Sequence, residues 1–148
     1  MSTSAAGSTG TPGGGGGSGG GIYLLDSSVL VRSLRGDPAI QARIASATAL
    51  YVSSIVLGEL YYGAYGSPTR AAADVLEVDR LAHTLAVLDV DAITATTYGR
   101  IKREQRVKGQ MLPDNDLWIA ASAIQYGLTL AARDVHFAWI DGLSCEQW

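Results

Sequence analysis

The chain is short of cysteine, phenylalanine and proline: one Cys (Cys145), one Phe and four Pro in 148 residues. A lone thiol excludes an intrachain disulfide framework and is the cysteine usage of a reducing compartment, so a cytoplasmic protein is expected. No apolar run approaches the roughly 20 residues of a membrane-spanning helix, and the first residues have neither the basic start nor the apolar centre of a secretory signal. No membrane association is expected. The sequence also lacks an excess of positive charge. Its net charge is −3, whereas phosphate binding rests on Lys and Arg that neutralise the backbone. Distribution matters more than the sum, because RIKREQRVK, from Arg100 to Lys108, holds five basic residues and one acid. That stretch reads either as a grip for nucleic-acid phosphates, with Arg32 and Arg35 beside it, or as an ordinary solvated helix face.

What is present divides at residue 22. Residues 1–21 are almost all Gly, Ser, Thr and Ala and cannot bury enough apolar area to offset their ordering entropy, so they read as a flexible leader. Residues 22–148 read as one domain, whose size and 47% hydrophobic content suit a single core. IYLL, with no polar alternation, predicts a strand buried on both faces. SSVLVRSL and PAIQARIASA predict two short helices, the second started by Asp37-Pro38, and ALYVSS a second strand. A helix from Ile55 to Tyr65 follows, capped by Ser53 or Ser54, with Gly58 and Gly63 suggesting close packing. Further helices are expected over about 69–81, from Asp91 or Thr94 to Gly109, and over DLWIAASAIQYG, the last nearly apolar all round and so buried. TLAVLDV and LTLAA complete a set of four strands. Strands alternating with helices mean an α/β fold with a parallel sheet and helices on both faces.

Ligands of such sheets bind outside the carboxyl ends of the strands. Asp26 follows the first strand and Asp134 the strand LTLAA, so both acids belong to that edge. Glu59 lies in the helix after the second strand, and Asp116 opens the buried helix; both helix starts face the same edge. Taken singly, the acids have plainer readings. Asp26 and Asp116 suit helix caps, as do Asp114 and Asn115, and Asp134 beside Arg133 suits a turn or a surface ion pair. Glu59 sits in IVLGELYYGAY, where an unpaired charge is costly to bury. Four carboxylates brought together repel one another and raise their own pKa values unless a cation holds them. Oxygen ligands without His or Cys point to Mg²⁺ or Mn²⁺, and such a site suits phosphodiester hydrolysis.

The segments IYLLDSSVLVRSLRGDP, VSSIVLGELYYGAYGS, LPDNDLWIAASAIQYGLTLAARDVHF and IDGL resemble, in that order, the motifs of PIN-domain ribonucleases of the VapC type, the toxins of VapBC toxin–antitoxin pairs. The resemblance spans Ile22 to Trp148. It implies a PIN-like three-layer α/β/α fold with a central parallel sheet of four to five strands, and an endoribonuclease dependent on Mg²⁺ or Mn²⁺ that leaves a 5′-phosphate and a 3′-hydroxyl. It also implies a small VapB-type antitoxin as partner, and a homodimer. The family's acids fall on Asp26, Glu59, Asp116 and Asp134 as catalytic and metal-binding residues. Its acid three residues before the I-A-A run selects Asp116, leaving Asp114 in a supporting place.

Two positions depart from the pattern. Asp26-Ser27-Ser28 stands where many members have Asp-Thr-Asn, and Ala132 replaces the Thr that often precedes Arg-Asp, which implies altered metal organisation. The alternatives are a structure-specific DNA nuclease on the same site and a catalytically weak module that mainly binds an antitoxin. The apolar YYGAYG segment reads as core, as an antitoxin groove or as a dimer face. His83 and His136 are expected to pack or cap, not to bind metal.

Overall fold

The computed structural model describes residues 20–148; apart from its last two glycines, the expected leader lies outside them. Five strands, β1 (Ile22–Leu25), β2 (Ala49–Ser53), β3 (Ala86–Leu88), β4 (Thr129–Ala132) and β5 (Cys145–Gln147), form one sheet in the order β3-β2-β1-β4-β5. All four pairings are parallel. Six helices accompany it among the described residues: α1 (Ser27–Leu34), α2 (Pro38–Ser46), α3 (Ser54–Tyr65), α4 (Ala71–Thr84), α5 (Ala92–Lys108) and α6 (Asp114–Tyr126). None is long and apolar enough to cross a membrane. The arrangement is the expected three-layer α/β/α fold.

The apolar runs took the middle of the sheet. Leu24 and Leu25 of β1 and Leu130 and Ala131 of β4 are wholly buried, and β1 is flanked by β2 and β4. Short, largely exposed β3 and β5 occupy the edges, where brevity limits unwanted strand pairing. Helix α6 is the most deeply sunk, with Leu117 and every residue from Ile119 to Ala123 buried.

Local chemistry set most boundaries. Asp37 caps α2 ahead of Pro38. Asp91 and Thr94, the two candidate starts of α5, act together: the Asp91 carboxylate accepts from the Thr94 N–H, and the Thr94 hydroxyl accepts from the Asp91 N–H, a reciprocal cap. Gly109 and Gly127, both at positive φ, end α5 and α6 in the left-handed conformation that glycine adopts without strain.

Two expectations need correction. Helix α6 begins two residues earlier than DLWIAAS suggested, with Pro113 as its cap, so Asp116 sits inside the first turn. Gly58 and Gly63 are not close-packed: a Cβ on either would meet nothing within 4 Å. The closing CEQ supplies the fifth of the four to five strands expected, β5, paired with β4 through Leu130↔Cys145 and Ala132↔Gln147.

The strand order matters for function. From β1 the chain steps outward to β2 and β3 on one side, then returns to lay β4 and β5 on the other. The direction reverses between β1 and β4, and the carboxyl ends of those two strands open the crevice where such sheets bind ligands.

Candidate active site

Asp26 leaves β1 at that crevice. Its backbone N–H donates to the Ala131 carbonyl of β4 at 3.0 Å, which fixes it against the neighbouring strand. It also caps α1, because its Oδ2 accepts from the Ser28 N–H at 3.4 Å and from the Ser28 hydroxyl at 2.6 Å. The plain reading of Asp26 as a cap is therefore correct for one oxygen. The other, Oδ1, is buried without a hydrogen-bond partner, in a residue only 6% exposed. A cap needs one oxygen; the second has no structural task.

Glu59, on α3, repeats the pattern with a buried, unpartnered Oε1. Its pKa is raised from 4.5 to about 7, first by burial, then by the charges of Asp26 and Asp116, with the nearby Ser27 hydroxyl pulling the other way. Asp116 is raised from 3.8 to about 6 by burial, Asp26 and Asp134. Glu59 and Asp116 thus feel Asp26 in common, and Asp134 reaches the group through Asp116. For both groups burial is the larger cause and the neighbouring carboxylates add to it.

Asp134 is the loosest member. Its Oδ1 accepts from the His136 N–H at 2.9 Å and lies 2.8 Å from His136 Nδ1, capping the 3-10 turn Val135–Trp139. The turn-former reading holds for it, with His136 rather than Arg133 as the ionic neighbour. His136 also lies against the Trp139 ring, the packing role expected of it. Among the described residues, no three His, Cys, Asp or Glu side chains form a group that would hold an ion as they stand.

Asp114 points elsewhere. It lies 2.8 Å from Lys102 Nζ and accepts from the Tyr98 hydroxyl at 2.9 Å, and these partners hold its pKa below the ordinary range. Tyr98 in turn stacks flat on Trp118, with centroids 3.8 Å apart. Asp114 thus fastens α5 to α6, while Asp116, two residues on, faces the crevice acids.

Ser28 was undervalued in the sequence. Besides donating to Asp26, its hydroxyl accepts from the Arg133 N–H at 3.4 Å, so one side chain ties the acid after β1 to the backbone after β4. Ala132, the departure noted above, is buried in β4; a hydroxyl nevertheless lies next to this junction, supplied by Ser28. The sequence signals were a Ser two residues after a capping Asp and its place where many family members have Asn.

The basic stretch is mostly engaged within the chain. Arg100 pairs with Glu104, Lys102 with Asp114 and Lys108 with Asp141. Arg103 and Arg106 remain exposed without an ion pair among the described residues. Arg32 pairs with Asp37.

The donor set is all oxygen, and two of its oxygens are buried with no partner. Leaving such a group unsatisfied costs about 1–3 kcal/mol, and a hard divalent cation satisfies it without steric demand. The donor chemistry therefore suits a hard divalent cation, while the side chains as they stand do not close around one.

Comparison with known proteins gives a consistent result. The PIN domain family matches residues 23–143. The chain is 32% identical over 131 residues to the ribonuclease VapC2 of Haemophilus influenzae, covering 85% of this chain and 97% of that one. It is 30% identical, with the same coverage, to the tRNA(fMet)-specific endonuclease VapC of Shigella flexneri. Among solved structures it resembles VapBC2 from Rickettsia felis, crystallised on a DNA fragment from its promoter, with a TM-score of 0.80 and 29% identity over 86% of this chain and 98% of that one.

Proposed function

The chain belongs to the PIN-domain family, among its VapC ribonucleases, and from that premise we propose that it is the endoribonuclease toxin of a two-protein toxin–antitoxin pair, cutting RNA at the crevice between β1 and β4. The observation that carries the reading is the pair of buried, unpartnered carboxylate oxygens, Asp26 Oδ1 and Glu59 Oε1, with Asp116 close enough for its charge to raise the Glu59 pKa. Asp26, Glu59 and Asp116 would hold a Mg²⁺ or Mn²⁺ ion, with Asp134 completing the site. When bound, such an ion lowers the pKa of a water and offsets charge on the phosphate.

The chain's own residues supply position. Ser28 holds Asp26 Oδ2, leaving Oδ1 free to face the crevice. Glu59 and Asp116, with pKa values of about 7 and 6, exchange protons with the medium near neutrality, so they accept a cation at little cost in deprotonation. Hydrolysis leaves a 5′-phosphate and a 3′-hydroxyl. Arg103 and Arg106 are the cations of α5 left to meet RNA phosphates.

For the partner, an open groove of about 540 Å³ runs beside α1, α3 and α4. Val31, Leu34, Leu60, Ala64 and Val78 line it, with Arg35, Arg70, Asp74 and Glu77 among its polar residues. An apolar floor with charges of both signs suits an amphipathic segment of a small VapB-type antitoxin. The exposed Tyr65 of α3 suits a homodimer face.

The test is Asp26→Asn, which keeps the shape and removes one charge. We expect cleavage of cellular RNA in Mg²⁺ to fall by on the order of a hundredfold or more, and EDTA to abolish parent activity. Cleavage by the variant at the parent rate, or cleavage indifferent to EDTA, would sink the proposal.

A further inference from the structure

Glu59 belongs to two surfaces at once. Besides facing the acids, it lines an open depression of about 500 Å³ shared with Ser54, Ile55, Gly58, Tyr62 and Asn115. No Lys, Arg or His is among these residues, so nothing there neutralises a phosphate, and the Glu59 carboxylate repels an anion. The shape is equally specific. Ser54, Gly58 and Tyr62 follow one another at four-residue intervals along α3, so they line one helix face. Gly58 has open space where a Cβ would be, which leaves a bare slot one turn before the Tyr62 ring. That ring is 85% exposed and lies against no other aromatic side chain among the described residues. The Ser54 hydroxyl, the Tyr62 hydroxyl and the Asn115 amide make no side-chain hydrogen bond among the described residues. Asn115 directly precedes Asp116, so the depression is flanked on α3 and on α6 by acids of the site.

An occupant of this place must be uncharged, flat and edged with donors and acceptors, and it must be attached to whatever the acids act on. We infer that the depression is a subsite for one unpaired nucleobase next to the scissile bond, with Tyr62 stacking on the base and Asn115 and Ser54 hydrogen-bonding to its edge. Stacking on an aromatic ring accepts any base, whereas an amide that both donates and accepts discriminates among edges. Tyr62 therefore supplies affinity, and Asn115 supplies preference for the base flanking the cut. The inference rests on the ribonuclease reading and adds to it where on the surface the RNA sequence is read.

The experiment uses the full chain and a short single-stranded RNA carrying one cleavage site mapped with the parent enzyme. Binding is measured by fluorescence anisotropy in the Asp26→Asn background, with each nucleotide replaced in turn by an abasic ribose. One abasic position beside the cut is expected to weaken binding by on the order of tenfold. Tyr62→Ala should weaken binding of the intact RNA by a similar factor, and the abasic effect should vanish in that variant. Gly58→Leu, which fills the slot from a position with room for a side chain, should do the same. In the active enzyme, Tyr62→Ala should raise KM with little change in kcat, and Asn115→Ala should broaden the base preference at that position.

The inference is overturned if the parent cuts RNA while Tyr62→Ala and Gly58→Leu keep its KM and cleavage pattern, or if the abasic effect persists in Tyr62→Ala. It is also overturned if these substitutions shift the sedimentation coefficient and leave the abasic profile unchanged, because the face would then seat a second copy of the chain. A parent protein that neither binds nor cuts RNA removes the ribonuclease reading and this inference together, an outcome visible before any variant is made.

Discussion

Replacing Glu59 by Gln removes one carboxylate from a group that repels itself, and the structure sets the size and sign of the response. In the folded protein Glu59 has a pKa of about 7 instead of 4.5. The folded state therefore keeps a proton that the unfolded state has lost between those values, and stability falls as pH rises through that window. Charging the group fully, as at pH 8, has a ceiling of about 3 kcal/mol. Partial solvent exposure screens this by about half, and a Gln amide left unpaired costs about 1 kcal/mol. What remains is a gain of about 1 kcal/mol for Glu59→Gln at pH 8 in EDTA, or roughly 3 °C in Tm for a domain of this size. At pH 5 the parent holds its proton, the gain disappears, and only the cost of the unpaired amide, about 1 kcal/mol, is left. In millimolar Mg²⁺ the order reverses, because the parent gains stability from the ion and the variant has lost a ligand. Scanning calorimetry at the two pH values, with EDTA and with Mg²⁺, gives all four numbers. A variant less stable than the parent at pH 8 in EDTA, or a difference equal at both pH values, refutes the reasoning.

Cation binding should release protons, since Glu59 and Asp116 hold them near neutrality; apparent Mg²⁺ affinity should rise between about pH 5 and 8. Titration calorimetry in two buffers of different ionisation enthalpy measures the proton count, and a count of zero at pH 6 contradicts the raised pKa values. Ser28→Ala should cost about 1–2 kcal/mol in denaturant unfolding, since it strips a bond from Asp26 and from the Arg133 N–H, and should also weaken Mg²⁺ binding. Asp114→Asn should leave RNA cleavage within about twofold, because what it loses is a solvent-screened surface pair with Lys102. Asp116→Asn should reduce cleavage by on the order of a hundredfold; equal losses in the two variants would undo the distinction between them.

The sequence displayed the fold wherever burial left a periodic trace. IYLL and LTLAA were legible as strands because both their faces are covered, and α6 because nearly every position is apolar. Strand β5 was not: CEQ is an edge segment of three residues, largely exposed, and owes its conformation to β4 beside it, not to its own side chains. Gly58 misled for a related reason. A helix glycine signals a close approach or an opening with equal force, and only the surrounding elements decide which. Asp26 and Asp134 were legible at one sheet edge because strand ends are predictable, whereas Asp114 and Asp116 lie two positions apart in one helix turn, and no sequence pattern reveals that Lys102 and Tyr98 from α5 hold the first of them. Three of the five basic residues of α5 were spoken for by partners far along the chain, or one turn away, that no composition count reveals.

The pairing of β1 with β4 has a consequence for biosynthesis. The two strands that frame the crevice lie more than a hundred residues apart in sequence and touch through Tyr23↔Thr129 and Leu24↔Leu130. A nascent chain that has emerged only as far as α5 already carries Asp26 and Glu59 but has neither Asp116 nor the strand that holds Asp26 in place. Such long-range pairing is late by its nature, since a large loop must close before any contact rewards it. The crevice therefore assembles only once β4 is present to pair with β1 and to hold the Asp26 backbone.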